Sequence, residues 1–354
     1  MSHAEICARK FLVYITEGLH YWQLCPPVLN LDSPRTTSTM LILSAAVSAL
    51  LLTANIAHAA TPLVQASNLT QTALSKQRAL AIKKSFQSSY YTYRKYAGHN
   101  DSLEPLSLQG VNDFGGFGAT PIDALSTAII MNDTAITNAL IDFATRGTDF
   151  TKTNAKTLSL FETNIRYLGG LLSAYELSGK THPNLVKQAK IVGDHLLTGW
   201  VGNNDIPYNT LMNWNTYGAP DTSTGAIIAE AGTLLLEMSK LSKYTKNSTY
   251  LDHAERSMKA VINSPAVFPG LYGQGINPVT NVPTDGYVTW GGGSDSFFEY
   301  LIKYAYMVGD SSSTYATTWI KSVQSSISNL LVKPYQHDEL LCGYKFNFLL
   351  CANH

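Results

Sequence analysis

Residues 158–179 read LSLFETNIRYLGGLLSAYELSG, and this stretch decides the fold class. Apolar side chains recur at every third or fourth position, which predicts an amphipathic helix over residues 157–177. The stripe consists of Leu160, Phe161, Ile165, Leu168, Leu171, Leu172 and Tyr175. A helix with so wide an apolar face must pack against neighbouring elements, and the chain therefore needs further helices or sheets to cover it.

A second strip lies beside this apolar face. Glu162, Arg166, Gly169 and Ser173 follow one another at spacings of four, three and four residues. The carboxylate and the guanidinium are one turn apart, which is the spacing of an ion pair on a helix. Two interpretations remain open: a surface salt bridge, which stabilises little, or the wall of a functional cavity.

The pattern continues along the chain from about Arg78. Helical periodicity predicts helices at residues 78–97, 120–131, 135–146, 157–177, 183–199, 224–243, 248–262, 295–308 and 312–331. Gly179, Pro183 and Gly309 stand where helices should end or begin. No long strand pattern appears, so the expected fold class is all-α, an array of helical hairpins. The loops at 200–223 and 263–294 are long enough to be functional.

Composition excludes several classes of function. The 354 residues include 25 Lys and Arg against 25 Asp and Glu, so there is no electrostatic footprint for nucleic acid. Cysteines occur only near the ends, as Cys7, Cys25, Cys342 and Cys351. The body is therefore not a disulfide scaffold, and it contains neither a thiolate metal site nor a cysteine nucleophile. Whether the terminal cysteines pair is left open.

Residues 41–57 form an uncharged apolar run that ends near the small-x-small site Ala57-His58-Ala59. This pattern favours a cleaved signal peptide over a membrane anchor or a buried helix. We therefore divide the N-terminal region into an atypical extension (1–39), a signal peptide or signal anchor (40–59) and a linker (60–77). Acceptor triplets for N-glycosylation begin at Asn68, Asn100, Asn132 and Asn247. Together these features predict a secreted protein or one in the lumen of the secretory pathway.

Two more segments carry acids in unusual surroundings. Glu230 lies in the most apolar part of TGAIIAEAGTLLLEMSKL (224–241), where a carboxylate is costly unless it is paired. Asp295 follows three glycines in TWGGGSDSFFEYLIKYAYMVGD (289–310). Ser296 and Glu299 have the spacing of a capping box, so this segment also has a purely structural interpretation.

Among the side chains that commonly catalyse reactions, the carboxylates are the candidates that remain in this sequence. No HExxH or GxSxG motif occurs, and the histidines form no metal-spaced cluster. Paired acids in a polar cavity are typical of glycoside hydrolysis. Four loop aromatics would either stack on sugars or simply pack their loops: Trp214, Tyr217, Tyr287 and Trp290.

Several longer motifs resemble the class I α-1,2-mannosidases, glycoside hydrolase family 47. The matching segments are FETNIRYLGGLLSAY (161–175), IDALST (122–127), GGGSDSFFEYL (291–301), YRKYAGHNDSL (93–103) and IPY (206–208). They occur in the family's order, in the form found in secreted fungal members, over about residues 78–332. The resemblance implies that the fold is an (α/α)7 barrel. It also implies a calcium-dependent enzyme that removes terminal α-1,2-linked mannose from oligomannose N-glycans with inversion of configuration.

The same resemblance implies roles for individual residues. Glu162 is expected to be the general acid and Asp295 the second catalytic carboxylate. Arg166 is expected to bind and tune the acid, and the other substrate-binding positions are Asp123, Glu230 and Gly293. Gly293 occupies a position where the family varies, and a small residue there is associated with broader acceptance of oligomannose isomers.

The sequence also departs from the family pattern. We find neither the RPE segment that carries a third carboxylate nor the calcium-binding Thr, so no metal ligand is assigned in this chain. The barrel over 78–332 is therefore expected to lack its C-terminal hairpins, and 333–354 is interpreted as an aberrant tail. The alternative function is an inactive relative that at most binds mannose glycans. Either form is expected to be a monomer, with membrane contact only through an uncleaved 41–57.

Overall fold

The computed structural model describes residues 70–332, 340–345 and 348–350. The chain divides into two compact units, Met1–Ala81 and Ile82–His354. Of the first unit only residues 70–81 are described, and they contain the beginning of helix α1 (Ala73–Tyr96). The predicted leader at 41–57 and the acceptor at Asn68 lie outside the described residues. Within the described part, no helix combines the length and the apolar character needed to cross a membrane.

The second unit is built from helices. They are α2 (Ala119–Ile130), α3 (Thr134–Asp142), α4, α5 (Pro183–Leu196), α6 (Ile228–Gly232), α7 (Leu235–Thr245), α8 (Thr249–Asn263), α9 (Asp295–Val308) and α10 (Thr314–Asn329). Helix α4 is composite: an α-helical turn at Leu160–Glu162, a π-helical segment at Thr163–Leu168 and an α-helical segment at Gly169–Leu177. The described residues are mostly helical, as the sequence pattern predicted.

The predicted helix positions are confirmed, with two informative differences at their starts. Helix α4 begins at Leu160 rather than residue 157, because residues 157–159 pair as a strand with 210–212. The segment predicted as one helix over 224–243 starts at Ile228 and is interrupted near Thr233, since Ala226–Ile227 pairs with Gly275–Ile276. Pro183 opens α5 and Gly309 closes α9 with a φ of 73°, as predicted.

Strands in the described residues are short and pair in twos, all antiparallel. The pairs are β1 (Ser102–Glu104) with β2 (Gln109–Val111), β3 (Thr157–Ser159) with β4 (Thr210–Met212), β5 (Ala226–Ile227) with β6 (Gly275–Ile276), β7 (Leu331–Val332) with β8 (Leu340–Leu341), and β9 (Gly343–Lys345) with β10 (Phe348–Leu350). Tyr344 also bridges to Val288, and Cys342 is buried and disulfide-bonded. Residues 340–344 are thus attached to the helical body by backbone pairing.

The helices pack as two layers of hairpins. Helices α2, α4, α7 and α9 contact one another in sequence, and α3, α5, α8 and α10 each pack back on a partner in that row. Gly170 permits close approach of the first two inner helices, because a Cβ there would lie 2.9 Å from the carbonyl oxygen of Ile122. Fully buried side chains from the inner row, including Leu125, Leu171 and Phe297, form the core.

Two strand pairs connect the starts of helices to loops that lead to later helices. Strand β3 leads directly into α4, and its partner β4 lies in the loop that leads to α6. Strand β5 leads into α6, and its partner β6 lies in the loop that leads to α9. These pairs link the starts of α4 and α6 to the loops that lead to α6 and α9. Glu162, Glu230 and Asp295 lie in the first turns of α4, α6 and α9, and Asp123 lies in the second turn of α2.

Candidate active site

Three of the predicted site residues are in direct contact. Arg166 Nε donates to Glu162 Oε2 over 2.8 Å, and its Nη1 donates to Asp123 Oδ2 over 3.2 Å. The side chains of Arg166 and Glu162 are about one third exposed and that of Asp123 is 40% exposed. The guanidinium also lies 4.5 Å from the ring centre of Phe114. One cation therefore orients two carboxylates at a surface that a ligand can reach.

The start of α4 fixes Glu162. Ser159 is the N-cap, and its Oγ accepts from the backbone N–H of Glu162 over 3.1 Å. Asn209 reinforces this turn, because its Oδ1 accepts from the N–H of Phe161 over 2.9 Å. The helix then continues in π-helical form at Thr163–Leu168. This conformation is rare in proteins overall, and where it occurs it is often found at functional sites. Of the two interpretations of the Glu162–Arg166 pair, the contact with Asp123 from another helix favours the functional one.

Glu230 joins this group through Asn209. Asn209 Nδ2 donates to Glu230 Oε1 over 2.7 Å, and the backbone N–H of Ile227 donates to Oε2 over 3.3 Å. Burial raises the pKa of the Glu230 carboxyl, the Ile227 N–H opposes the rise, and the charge of Glu162 adds to it. The predicted apolar surroundings of Glu230 agree with burial as the largest cause of this rise. The Glu230 carboxyl also has the two hydrogen-bond donors that a buried acid requires.

The pKa of Asp123 is also raised. Burial is the largest cause, the hydrogen bond and charge of Arg166 oppose it, and the charge of Glu162 increases the rise. Glu162 thus acts in the same direction on both neighbouring acids, Asp123 and Glu230. This mutual influence is typical of carboxyl groups that share one site.

Asp295 and Gly293 lie on the adjoining loop. The carbonyl of Gly293 accepts from the N–H of Ala229, next to Glu230, over 3.1 Å, and Thr233 Oγ1 donates to Ser296 Oγ over 2.7 Å. Asp295 is exposed at the first turn of α9, and no hydrogen bond or ion pair within the described residues joins its side chain to Glu162, Arg166 or Glu230. The loop is therefore attached to the site, while the Asp295 carboxylate has no direct side-chain link to it.

The capping box expected at Ser296 and Glu299 is wrong. The helix begins at Asp295 and its N-cap is Ser294, so Ser296 is already the second helical residue. Ser296 instead bonds to Thr233, and Glu299 forms an ion pair with Lys303. Asp295 Oδ1 accepts from the N–H of Ser296 over 2.9 Å, which leaves the other carboxylate oxygen available to a ligand.

The loop aromatics do not share one role. Trp214 is 4% exposed and its Nε1 donates to the carbonyl of Phe150, and Trp290 stacks on Phe298 with ring centres 4.1 Å apart. These two residues pack their loops down, as the structural interpretation expected. Tyr217 is 52% exposed and remains accessible.

Sequence reasoning missed two residues that build the site. Asn209 links the start of α4 to Glu230, and it directly follows the Ile206-Pro207-Tyr208 motif. Asp101 is fully buried and holds the loop that contains Phe114, and it lies inside the YRKYAGHNDSL segment. The only sequence signal for either residue was its place in or next to one of these motifs. A single sequence does not reveal which buried polar residue bonds to which backbone group.

Another acid lies deeper between the same helices. Glu237 Oε1 accepts from Tyr300 Oη over 2.8 Å and Oε2 accepts from Asn164 Nδ2 over 3.0 Å. Burial raises the pKa of this carboxyl to about 7. Gly169 packs against it, since a Cβ there would lie 3.5 Å from Glu237 Cγ. The strip that begins at Glu162 thus continues inward to a buried polar contact rather than out to solvent.

The described residues do not fit a protein-made metal centre. No group of three or more His, Cys, Asp or Glu side chains in this part of the chain stands close enough to hold a metal ion. The calcium expected from the resemblance therefore has no assigned ligands here, and we derive no step through it.

Chemically, this arrangement suits proton transfer to and from a polar substrate. A carboxyl at an accessible helix start can donate a proton, a guanidinium orients it, and further acids surround the same surface. Acids in several distinct environments are what general acid and base roles require. A sugar ring presents hydroxyls that Asp123, Arg166 and Glu230 have the groups to bind.

Residues 85–348 match the family described as glycosyl hydrolase family 47. The match extends past Val332, where the sequence interpretation ended the resemblance. A probable mannosyl-oligosaccharide α-1,2-mannosidase 1B of Neosartorya fischeri is 37% identical over 276 residues, 74% of this chain and 55% of that protein. The mannosyl-oligosaccharide α-1,2-mannosidase 1B of Aspergillus oryzae is 38% identical over 288 residues, 77% of this chain and 56% of that protein.

A solved structure is also similar. The α-1,2-mannosidase from Trichoderma reesei superposes with a TM-score of 0.72 at 31% identity, covering 77% of this chain and 60% of that one. The chain spans about half the length of the curated relatives that it matches.

Proposed function

The chain belongs to glycosyl hydrolase family 47, and on this basis we propose that it removes terminal α-1,2-linked mannose from oligomannose N-glycans. The observation that carries the proposal is the Glu162–Arg166–Asp123 contact at the accessible start of α4. We also propose that the described hairpins form part of an (α/α)7 barrel, supported by the superposition on the Trichoderma reesei enzyme.

In the proposed reaction, Glu162 donates a proton to the glycosidic oxygen as the bond to the anomeric carbon breaks. A water molecule attacks the opposite face of that carbon and loses its proton to a second carboxylate, for which Asp295 is the candidate. Arg166 positions Glu162, and Asp123 and Glu230 bind hydroxyls of the terminal mannose. One proton leaves the protein and one returns, so the two carboxyl groups exchange protonation states during each turnover.

The experiment is the release of mannose from an oligomannose glycan by the full chain, with Glu162→Gln as the test variant. Gln keeps the shape but has no acidic proton, so we expect release to fall by about 10²–10⁴-fold. Glu104→Gln is the matched control, because Glu104 is exposed and its side chain bonds only to Ser107 within the described residues. Equal release by Glu162→Gln and wild type would refute the acid assignment, and assays with and without added calcium test the calcium expectation.

The alternative function is glycan binding without hydrolysis. It is favoured by the position of Asp295, whose side chain has no hydrogen bond or ion pair to Glu162, Arg166 or Glu230 within the described residues. Oligomannose binding by wild type without any mannose release would establish this alternative in place of the enzyme.

A secretory location remains a proposal as well. It is supported by the apolar run at 41–57 and by the acceptor triplets, of which Asn132 is exposed in the structure. A gain in mobility of the expressed protein after endoglycosidase treatment, reduced in Asn132→Gln, would support it.

A further inference from the structure

A polar cavity of about 490 Å³ lies beside the site and is not part of the proposed catalytic machinery. Three segments line it: the loop at 112–116, the loop at 152–155, and Asn215. Its side chains are largely polar, with three asparagines, one lysine and one threonine. The volume falls within the range of about 300–1,000 Å³ that small-molecule sites occupy.

Hydrogen bonds connect the three segments that line this cavity. Thr153 N–H donates to Asn215 Oδ1 over 2.7 Å, and Asn215 Nδ2 donates back to the carbonyl of Thr153 over 3.0 Å. Thr153 Oγ1 donates to the carbonyl of Gly115 over 2.5 Å. The N–H of Gly116 is in turn held by buried Asp101 Oδ2 at 2.6 Å. The cavity is therefore preorganised, which lowers the cost of binding.

Polar groups in the cavity remain available to a ligand. Asn112 uses its Oδ1 to accept from Asn100 and from the N–H of Asp101, and its Nδ2 donates to no group in the described residues. Lys152 and Asn154 are exposed, and their side chains form no hydrogen bond or salt bridge within that part of the chain. Amide and ammonium donors beside carbonyl acceptors suit a ligand that is rich in hydroxyls, such as a sugar.

Each wall runs directly into a segment that builds the site. The loop at 112–116 contains Phe114, which lies beneath Arg166. The loop at 152–155 leads into β3 and the N-cap of α4, where Glu162 lies. Asn215 follows β4, and Asn209, which holds Glu230, lies just before that strand. The segments that line this cavity are therefore continuous along the chain with those that carry Phe114, Glu162 and Asn209.

We propose that this cavity is an outer subsite that binds inner mannose residues of the oligomannose arm whose terminal residue is cleaved at Glu162. The inference rests on the proposed function. Lys152 and Asn154 supply specificity for the arm by donating to mannose hydroxyls, and the Thr153–Asn215 contact keeps the two loops at a fixed separation.

The test compares a long and a short substrate with the full chain. The substrates are an oligomannose glycan and α-1,2-mannobiose, a disaccharide that is too short to reach far beyond Glu162. The variants are Asn154→Trp, which fills the cavity, and the double variant Lys152→Ala with Asn154→Ala, which removes two of its three free donors. Lys156→Ala is the matched control, because Lys156 is exposed on the same loop but does not line the cavity.

We expect kcat/KM for oligomannose to fall about two- to tenfold more than kcat/KM for the disaccharide in the double variant, and further in Asn154→Trp. The control should leave both values unchanged. Equal losses on the two substrates, or no loss on either, would overturn the subsite.

If wild type hydrolyses neither substrate, the proposed activity fails and the subsite is judged by binding alone. Oligomannose binding, measured by calorimetry, that is retained in Asn154→Trp overturns the subsite, and so does the absence of any binding to wild type. Binding to wild type that is lost in Asn154→Trp but kept in Lys156→Ala supports it.

Discussion

Two carboxylate centres of this protein differ in how their oxygens are occupied. Asp101 is fully buried, and its oxygens accept from the N–H groups of Phe114, Gly116, Gly118 and Ala119 and from Tyr167 Oη. Glu162 is about one third exposed and shares a single guanidinium with Asp123. The first centre has all its bonding positions filled by the fold. The second keeps positions open, and only such a centre can meet a substrate.

The two centres are nevertheless connected. Tyr167, which donates to Asp101 over 2.8 Å, is the residue after Arg166. Phe114, whose N–H donates to Asp101, provides the ring beneath the Arg166 guanidinium. The saturated centre thus holds the backbone that positions the open one, and substitutions should affect stability at the first and activity at the second.

The largest expected effect is the loss of stability in Asp101→Asn. The new amide group would face two backbone N–H donors, and each buried donor left without an acceptor costs about 1–3 kcal/mol. We expect the free energy of unfolding, measured by urea denaturation, to fall by about 2–6 kcal/mol. Asp113→Asn is the control, because Asp113 is exposed and bonds to Ser102, and it should change stability by less than about 0.5 kcal/mol. Similar small losses in both variants would remove the distinction between the centres.

His195 extends the comparison, because it is buried like Asp101 but its polar atoms are not occupied by hydrogen bonds within the described residues. It is 2% exposed, neither ring nitrogen has a hydrogen-bond partner in the described residues, and it packs between Trp214 and Tyr217. Burial lowers its pKa from 6.5 to about 4, against a smaller opposing effect of Asp194. Well above pH 6.5 the ring is neutral in both the folded and the unfolded chain.

As the pH falls from 6.5 towards 4, the unfolded chain gains a proton that the folded chain does not, and stability decreases. We expect this loss to reach up to about 3 kcal/mol relative to His195→Phe, measured by urea denaturation at successive pH values. His182→Gln is the control and should follow wild type. Parallel curves for wild type and His195→Phe would contradict the prediction.

Arg166→Lys tests the open centre. A lysine has a single point charge and cannot hold both carboxylates with the fork geometry of a guanidinium. We expect mannose release to fall by about 10–100-fold because Glu162 loses its fixed position. Stability should change by less than about 1 kcal/mol, since the pairs are partly exposed. Arg146→Lys is the control, because the Arg146 side chain is 77% exposed and, among the residues that the structure describes, pairs only with Asp142. A stability loss without an activity loss would reverse the assignment.

The smallest expected effect is at Gly293. Its φ of 91° is strained for any residue with a Cβ, and that atom would lie 2.5 Å from Gln274 Nε2. We expect Gly293→Ala to lower the free energy of unfolding by about 1–2 kcal/mol. Gly292→Ala is a closely matched control, because a Cβ there would meet nothing within 4 Å. Equal stability of the two variants would show that the loop relaxes without cost.

Helical periodicity was sufficient to predict the described helices, because each buries one face against the next layer. Besides the interruption near Thr233 and the earlier start of α1 at Ala73, the errors fell at 157–159 and 224–227, where residues pair with distant strands. Such pairing depends on partners about 50 residues away and leaves no local signal. The same limit explains the capping box at Ser296, whose hydroxyl is bonded to Thr233 instead.

The site was predictable to a similar degree. The spacing of Glu162 and Arg166 indicated their ion pair, and the apolar surroundings of Glu230 indicated a buried acid. The contact of Arg166 with Asp123 and the bridging role of Asn209 were not predictable from local sequence, because they join different helices. The assignment of Asp295 as a catalytic carboxylate stays a prediction.

The bonds of Asn209 have a consequence for the order of folding. This one side chain touches Phe161, 48 residues earlier in the chain, and Glu230, 21 residues later. The bond between Asp101 and Tyr167 spans 66 residues. Contacts with such large sequence separations form only after the intervening loops have closed, which is slow compared with the formation of a helix. The individual helices can therefore form early, while the surface that would act on a sugar is completed among the last steps of folding.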